Sequence, residues 1–119
     1  MPEVKSRKTV IVKAVIDIPA TFDIDFRIGF DVDDMIVTSW TADTPTAGGD
    51  QSYIMKLDGV GELFHFRAED SVAIKNVFRL GKSLEGIQTF TVIDYHGNVE
   101  DETEGLVIMF TLEFIEFHK

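Results

Sequence analysis

Alternation of apolar and polar residues restricts this chain's fold more than any other feature. In the segment TFDIDFRIGFDVDD (residues 21–34), Phe22, Ile24 and Phe26 take one parity, and Asp23 and Asp25 take the other. Successive side chains of a β-strand point to opposite faces, so this period of two predicts a strand with one buried and one solvated face. We therefore expect its carboxylates to lie on the wet side of a sheet.

The same period recurs along most of the sequence. Further strands are predicted at TVIVKAVIDI (9–18), DMIVTSWT (34–41), SYIMKL (52–57), ELFHFRA (62–68), GIQTFTVIDY (86–95) and GLVIMFTLEFIEFH (105–118). We expect Pro19 to end the first strand because proline has no N–H to donate to a sheet ladder. Residues 42–50 are typical of a loop, and Asp58 and Gly59 are typical of a hairpin turn.

Residues 69–81 allow two interpretations. Asp70 or Ser71 could cap a helix that ends at Gly81, or a loop could lead into a short strand at NVFRL. We favour the loop and short strand because strands are predicted on both sides of the segment. Seven or eight short strands with turns between them, and no helical crossovers, predict an all-β antiparallel β-sandwich or a small barrel.

Composition narrows the class of protein. A chain of 119 residues with 45% hydrophobic residues is typical of one globular domain, here 1–119 with a basic N-terminal arm at 1–8. The absence of cysteine excludes disulfides and thiolate metal sites. A net charge of −10 disfavours nucleic acid, and the longest apolar run, LVIMF, is too short for a membrane helix. We therefore expect no nucleic-acid partner, no membrane span and no cofactor.

The last predicted strand is apolar on both faces. One parity carries five large apolar residues from Leu106 to Phe114, and the other carries Val107 and Met109. A strand that is apolar on both sides is expected to be buried on both faces of its sheet. The interior of one small sandwich can bury only one of those faces. Either this chain covers the second face or another protein does. The predicted interface residues are Ile11, Val15, Val107, Met109, Ile115 and Phe117, with Lys5, Arg7 and Lys8 as rim charges.

No catalytic motif is present. The run Asp31, Asp33 and Asp34 begins like a calcium loop, but the required glycine and the closing glutamate are missing. The histidines at 65, 96 and 118 lack HExxH spacing, and no serine lies in a G-x-S-x-G elbow. We therefore predict no enzyme, no catalytic residues and no metal site.

A ligand-binding module for carbohydrate or calcium is the alternative. Its candidates are Trp40, Tyr53 and Tyr95 for stacking on a sugar, with the three aspartates for the cation. Trp40 shares the parity of Ile36 and Thr38, and we expect it in the core.

The order of these segments resembles the layout of small β-sandwich or jelly-roll minor capsid proteins of DNA viruses. The likeness is strongest from Leu84 to Phe117, where FTVIDYHGN leads into the long apolar strand ending LEFIEF. It implies a jelly-roll-like sandwich without catalytic residues that cements or bridges larger subunits of a shell. The implied partner is protein, either a second copy or a larger structural subunit, and the implied location is the virion, otherwise the cytoplasm.

Overall fold

The computed structural model describes residues 3–18, 20–43, 52–67, 71–94 and 103–119, and these form strands with no helix among them. The strands are β1 (Val4–Ile18), β2 (Ala20–Phe26), β3 (Val32–Asp43), β4 (Ser52–Leu57), β5 (Gly61–Arg67), β6 (Ser71–Lys82), β7 (Gly86–Asp94) and β8 (Thr103–Phe117). The all-β prediction is confirmed. The loop predicted at 42–50 lies almost entirely outside the described residues.

The strands form two four-stranded antiparallel sheets. The first sheet has the order β1-β8-β3-β6, and the second has the order β2-β7-β4-β5. Except for the β4–β5 hairpin, each strand is followed in sequence by a strand of the other sheet. This is the jelly-roll arrangement of eight strands in a double sheet, which confirms the predicted antiparallel sandwich.

The core lies between the two inner faces. Every second residue of β8 from Leu106 to Phe114 is almost completely buried, as its parity predicted. Phe90 of β7 crosses the interior, with its ring centroid 5.4 Å from that of Phe110 and 5.2 Å from that of Phe22. Aromatic side chains therefore connect the second sheet to β8 in the middle of the first.

Trp40 and Ile36 lie on opposite faces of β3, although they share a parity in the sequence. The ladders from β3 to β6 and to β8 both shift register between Val37 and Ser39. This bulge places Trp40 on the inner face, where it is 4% exposed and stacks on Phe64 with centroids 5.3 Å apart. Ile36 lies outside the core cluster. The prediction that Trp40 is a core residue is confirmed, but its parity does not place it on the face of Ile36, because an inserted residue reverses the alternation between them.

Three predicted boundaries differ from the observed strands. The segment favoured as a loop and a short strand is the twelve-residue strand β6, because it pairs with β3 along most of its length. The strand predicted over 21–34 ends at Phe26, and Gly29 follows with φ of 88°, a left-handed conformation that glycine adopts without a steric penalty. Residues 4–8 of the predicted arm belong to β1 and pair with β8.

We predict that Phe90→Ala lowers the free energy of unfolding by about 3–5 kcal/mol, because it leaves a cavity among the rings of the core. The measurement is urea denaturation at neutral pH. Ile87→Ala in the same strand is the matched control, since Ile87 is 63% exposed. Equal losses for the two variants would contradict the described packing.

Candidate interaction surface

The outer face of the first sheet carries an exposed apolar cluster, which we call the outer patch. It consists of Ile11 and Val15 on β1, with Val107 and Met109 on β8. Ile11 is 65% exposed, Val15 is 66% exposed and Met109 is 42% exposed. The fourth member, Val107, is half-buried. The structure thus brings four of the six predicted apolar interface residues together.

Strand pairing makes the outer patch continuous. Val15 lies directly opposite Val107, and Ile11 is diagonal to Met109 because it faces Thr111. Directly opposed residues on one face of an antiparallel pair have Cβ atoms about 4.5–5.5 Å apart, and diagonal ones about 7–8 Å. The four side chains therefore form one surface.

At the C-terminal end of β8, side chains of the neighbouring strands β1 and β3 cover the outer face. Ile115 lies between Arg7 of β1 and Asp34 of β3 and is only 5% exposed. An Nη atom of Arg7 lies 2.7 Å from Oε1 of Glu113, and this ion pair lies beside Ile115 on the same face. Ile115 was predicted as an interface residue, but it leaves little surface for a partner. Phe117 is half-buried at the end of the strand.

The predicted rim charges are part of β1. Besides Arg7, Lys5 has an ion partner on β8, since its Nζ atom lies 3.9 Å from Oε1 of Glu116. Lys8 is exposed, opposite Phe114 in the ladder. Ion pairs between side chains this exposed contribute at most about 1 kcal/mol each. Lys5 and Arg7 therefore pair with glutamates of β8, and all three basic residues belong to β1 rather than to an extended arm.

The acidic run does not form an open cluster of oxygens. The Asp33 carboxylate accepts the N–H of Phe117 at 2.8 Å and lies 3.0 Å from Nζ of Lys119. Two contacts hold the pKa of Asp33 below its ordinary value. The hydrogen bond from the Phe117 N–H has the larger effect, and the Lys119 ammonium has the next largest. Asp34 is nearly buried, and its carboxylate lies 3.8 Å from Nη1 of Arg79. These two carboxylates thus contact cations of this chain.

The alternative ligand sites are not assembled by the residues that the structure describes. Trp40 and Tyr53 are buried in the core and present no ring to a sugar, and Tyr95 lies outside the described residues. Within the described ranges, no three histidine, cysteine, aspartate or glutamate side chains are grouped to hold a metal ion. His65 is exposed on β5, with Nε2 3.0 Å from Oε2 of Glu62. The described part of the chain contains no helix long and apolar enough to cross a membrane.

Comparison with known proteins gives little further guidance. No model of a known protein family matches the sequence, and no curated protein matches it. Among solved structures, the chain is similar to a family two carbohydrate esterase from Cellvibrio japonicus, with 12% identity and a TM-score of 0.28. The alignment covers 95% of this chain but only 36% of the esterase chain, so this chain spans about a third of the esterase's length. A likeness this weak supports no functional argument.

We predict that Asp33→Asn lowers stability at neutral pH, because the neutral amide accepts the Phe117 N–H more weakly and loses the attraction of Lys119. A carboxylate whose folded-state pKa is depressed stabilises the fold fully above its unfolded pKa of about 3.9. That contribution is lost as the pH falls through the lower folded-state pKa. The difference between wild type and Asp33→Asn should therefore shrink towards zero in acid.

Urea denaturation of both proteins, from neutral pH down through about pH 4 and below, measures this difference. Asp25→Asn is the control, because Asp25 pairs only with the exposed Arg27 in the described contacts. A deficit of Asp33→Asn that is the same at every pH would contradict the assignment.

Proposed function

We propose that this protein is a non-enzymatic structural subunit that joins a larger protein assembly through the outer patch. The observation that carries the proposal is the exposure of Ile11, Val15 and Met109 side by side on one sheet face. An isolated apolar side chain on a surface needs no explanation, but a contiguous group marks a binding surface. Burial of these side chains against another protein would remove their apolar area from water.

The surroundings of the outer patch fit an interface between proteins. Lys13 lies opposite Met109, Thr111 lies opposite Ile11, and Asp43 lies opposite Val107. An apolar centre with polar and charged neighbours is the usual anatomy of a protein–protein interface. The net charge of −10 further favours a protein over nucleic acid as the partner.

The resemblance in segment order gives the proposal its particular form, a minor capsid or cementing subunit in a virion. Jelly rolls serve as viral capsid domains, but also as lectin domains and cupins. Because one fold hosts many functions, the support comes from the outer patch rather than from the sandwich itself. In this role the patch rests on a larger subunit of the shell.

The test measures what fraction of the protein is incorporated into large assemblies in its native source, for the wild type and for a variant of the outer patch. We predict that the double variant Val15→Asp and Met109→Lys reduces the share that sediments with large assemblies at least about tenfold, because it places charges in a desolvated contact. Sedimentation of native extracts followed by quantitative mass spectrometry measures that share. Ile87→Asp is the control, since Ile87 is the only large apolar residue exposed on the second sheet among the described residues.

Two results would overturn the proposal. One is a wild-type chain that sediments entirely as free protein in its native source. The other is equal incorporation of the double variant and the wild type, which would show that the outer patch makes no contact. Circular dichroism of each purified variant checks that it is folded.

A further inference from the structure

The first strand presents a long free edge. β1 is the end strand of the first sheet, and among the described residues its ladder runs only to β8. The ladder is unbroken from Ser6 to Ile16, with both register shifts near the ends of the strand. An edge of this kind exposes unpaired N–H and C=O groups, which are a template for another strand.

The other sheet edges are less suited to pairing. β2 and β5 have seven residues each, whereas β1 has fifteen. β6 is long, but its ladder to β3 shifts register twice, and Gly81 near its end has φ of 62°. Irregular and short edges resist the addition of a strand, so β1 is the edge best suited to accept one.

We propose that β1 pairs antiparallel with β1 of a second copy of this chain, with the two-fold axis at Ile11. The inference rests on the proposed function and names one partner within the assembly. Ile11 is the midpoint of Val4–Ile18 and also of the regular stretch Ser6–Ile16, so this register pairs that regular stretch with itself. Antiparallel strands related by a two-fold axis form an interface in which the same residues contribute from both copies.

Charge complementarity favours the second copy as the occupant. In this register Lys5, at one register shift of β1, lies opposite the second copy's Asp17, at the other shift. Asp17 is the only acidic residue of β1, and this pair occurs twice in the dimer. Arg7 faces Val15, Lys8 faces Ala14 and Lys13 faces Thr9, so no cation opposes another cation. Opposite charges on facing strands stabilise a pairing, whereas like charges destabilise it.

The inner side of β1 supports the same arrangement. Val10, Ala14 and Ile16 pack against the core but remain only partly buried at the edge of the sheet. In the dimer, Val10 would lie opposite Val12 of the second copy, and the two first sheets would become one eight-stranded sheet. The added strand would cover apolar surface that a single copy leaves in contact with water.

Disulfide formation tests the position of the two-fold axis. The natural chain has no cysteine, so a single introduced cysteine can bond only to the same position in another copy. Directly paired residues have Cα atoms about 4.5–5.5 Å apart, which is within the range of a disulfide. We expect purified Ile11→Cys to form a covalent dimer on mild oxidation, seen on a non-reducing gel.

Val15→Cys is the matched control, because Val15 has the same exposure on the same face of β1. In the proposed dimer the two Val15 positions are about 27 Å apart, at about 3.4 Å per residue, so no disulfide forms. Equal cross-linking of both variants, or none by Ile11→Cys, would overturn the inference. Either result leaves the sedimentation of the outer-patch variants in native extracts unaffected, so failure of the edge and failure of the proposed function are distinguishable.

A charge exchange provides a second test. Lys5→Glu alone and Asp17→Lys alone place like charges opposite each other twice, so each variant should dimerise about tenfold more weakly than wild type. In an equimolar mixture every facing pair becomes opposite in charge again, and a mixed dimer should form with wild-type affinity. Analytical ultracentrifugation measures both, and a mixture no stronger than its components would overturn the register. Asp17 also accepts a hydrogen bond from the Gly105 N–H. The Asp17→Lys variant lacks this bond both by itself and in the mixture, so its loss does not explain a difference between the two samples.

Discussion

The central position of β8 in the first sheet is the constraint on which the rest of the structure depends. Its inner face fills the single interior of the sandwich, so the apolar residues on its outer face depend on neighbouring strands for cover. Ile115 receives that cover and is buried, whereas Met109 does not. The outer patch exists because one strand is apolar on both faces and a sandwich of two layers buries only one of them.

Charges and apolar residues divide the first sheet into two ends. At one end Arg7 forms an ion pair with Glu113, and Arg79 forms one with Asp34. At the same end the Asp33 carboxylate contacts the Phe117 N–H and the Lys119 ammonium. Each of these surface contacts contributes little by itself, and each places a carboxylate beside a cation or an N–H of this chain. The other end carries Val15 and Val107, for which no such partner occurs in the part of the chain that the structure describes. The outer patch therefore lies towards the end of the first sheet opposite these ion pairs.

Much of the fold could be predicted because burial follows parity. The residues predicted to face inward on β8 are buried, and Asp23 and Asp25 lie in solvent. Prediction failed where a local irregularity changed the parity, as with the bulge before Trp40, and where a strand depends on a distant partner. β6 has no strong alternation of its own, and its extent is fixed by pairing with β3. The outer patch was predicted in part. Four of the six apolar residues predicted for an interface lie together on the outer face, but Ile115 is buried.

The sequence by itself determined that the chain forms strands, which faces of most strands are apolar, and that β8 has an excess of apolar surface. These properties are local, since they follow from side-chain order along a strand of period two. Only the tertiary structure decided which strands are neighbours, which edge is free and which outer residues are covered. Those outcomes depend on residues far apart in the sequence, such as Val15 and Val107, and no local pattern records their pairing.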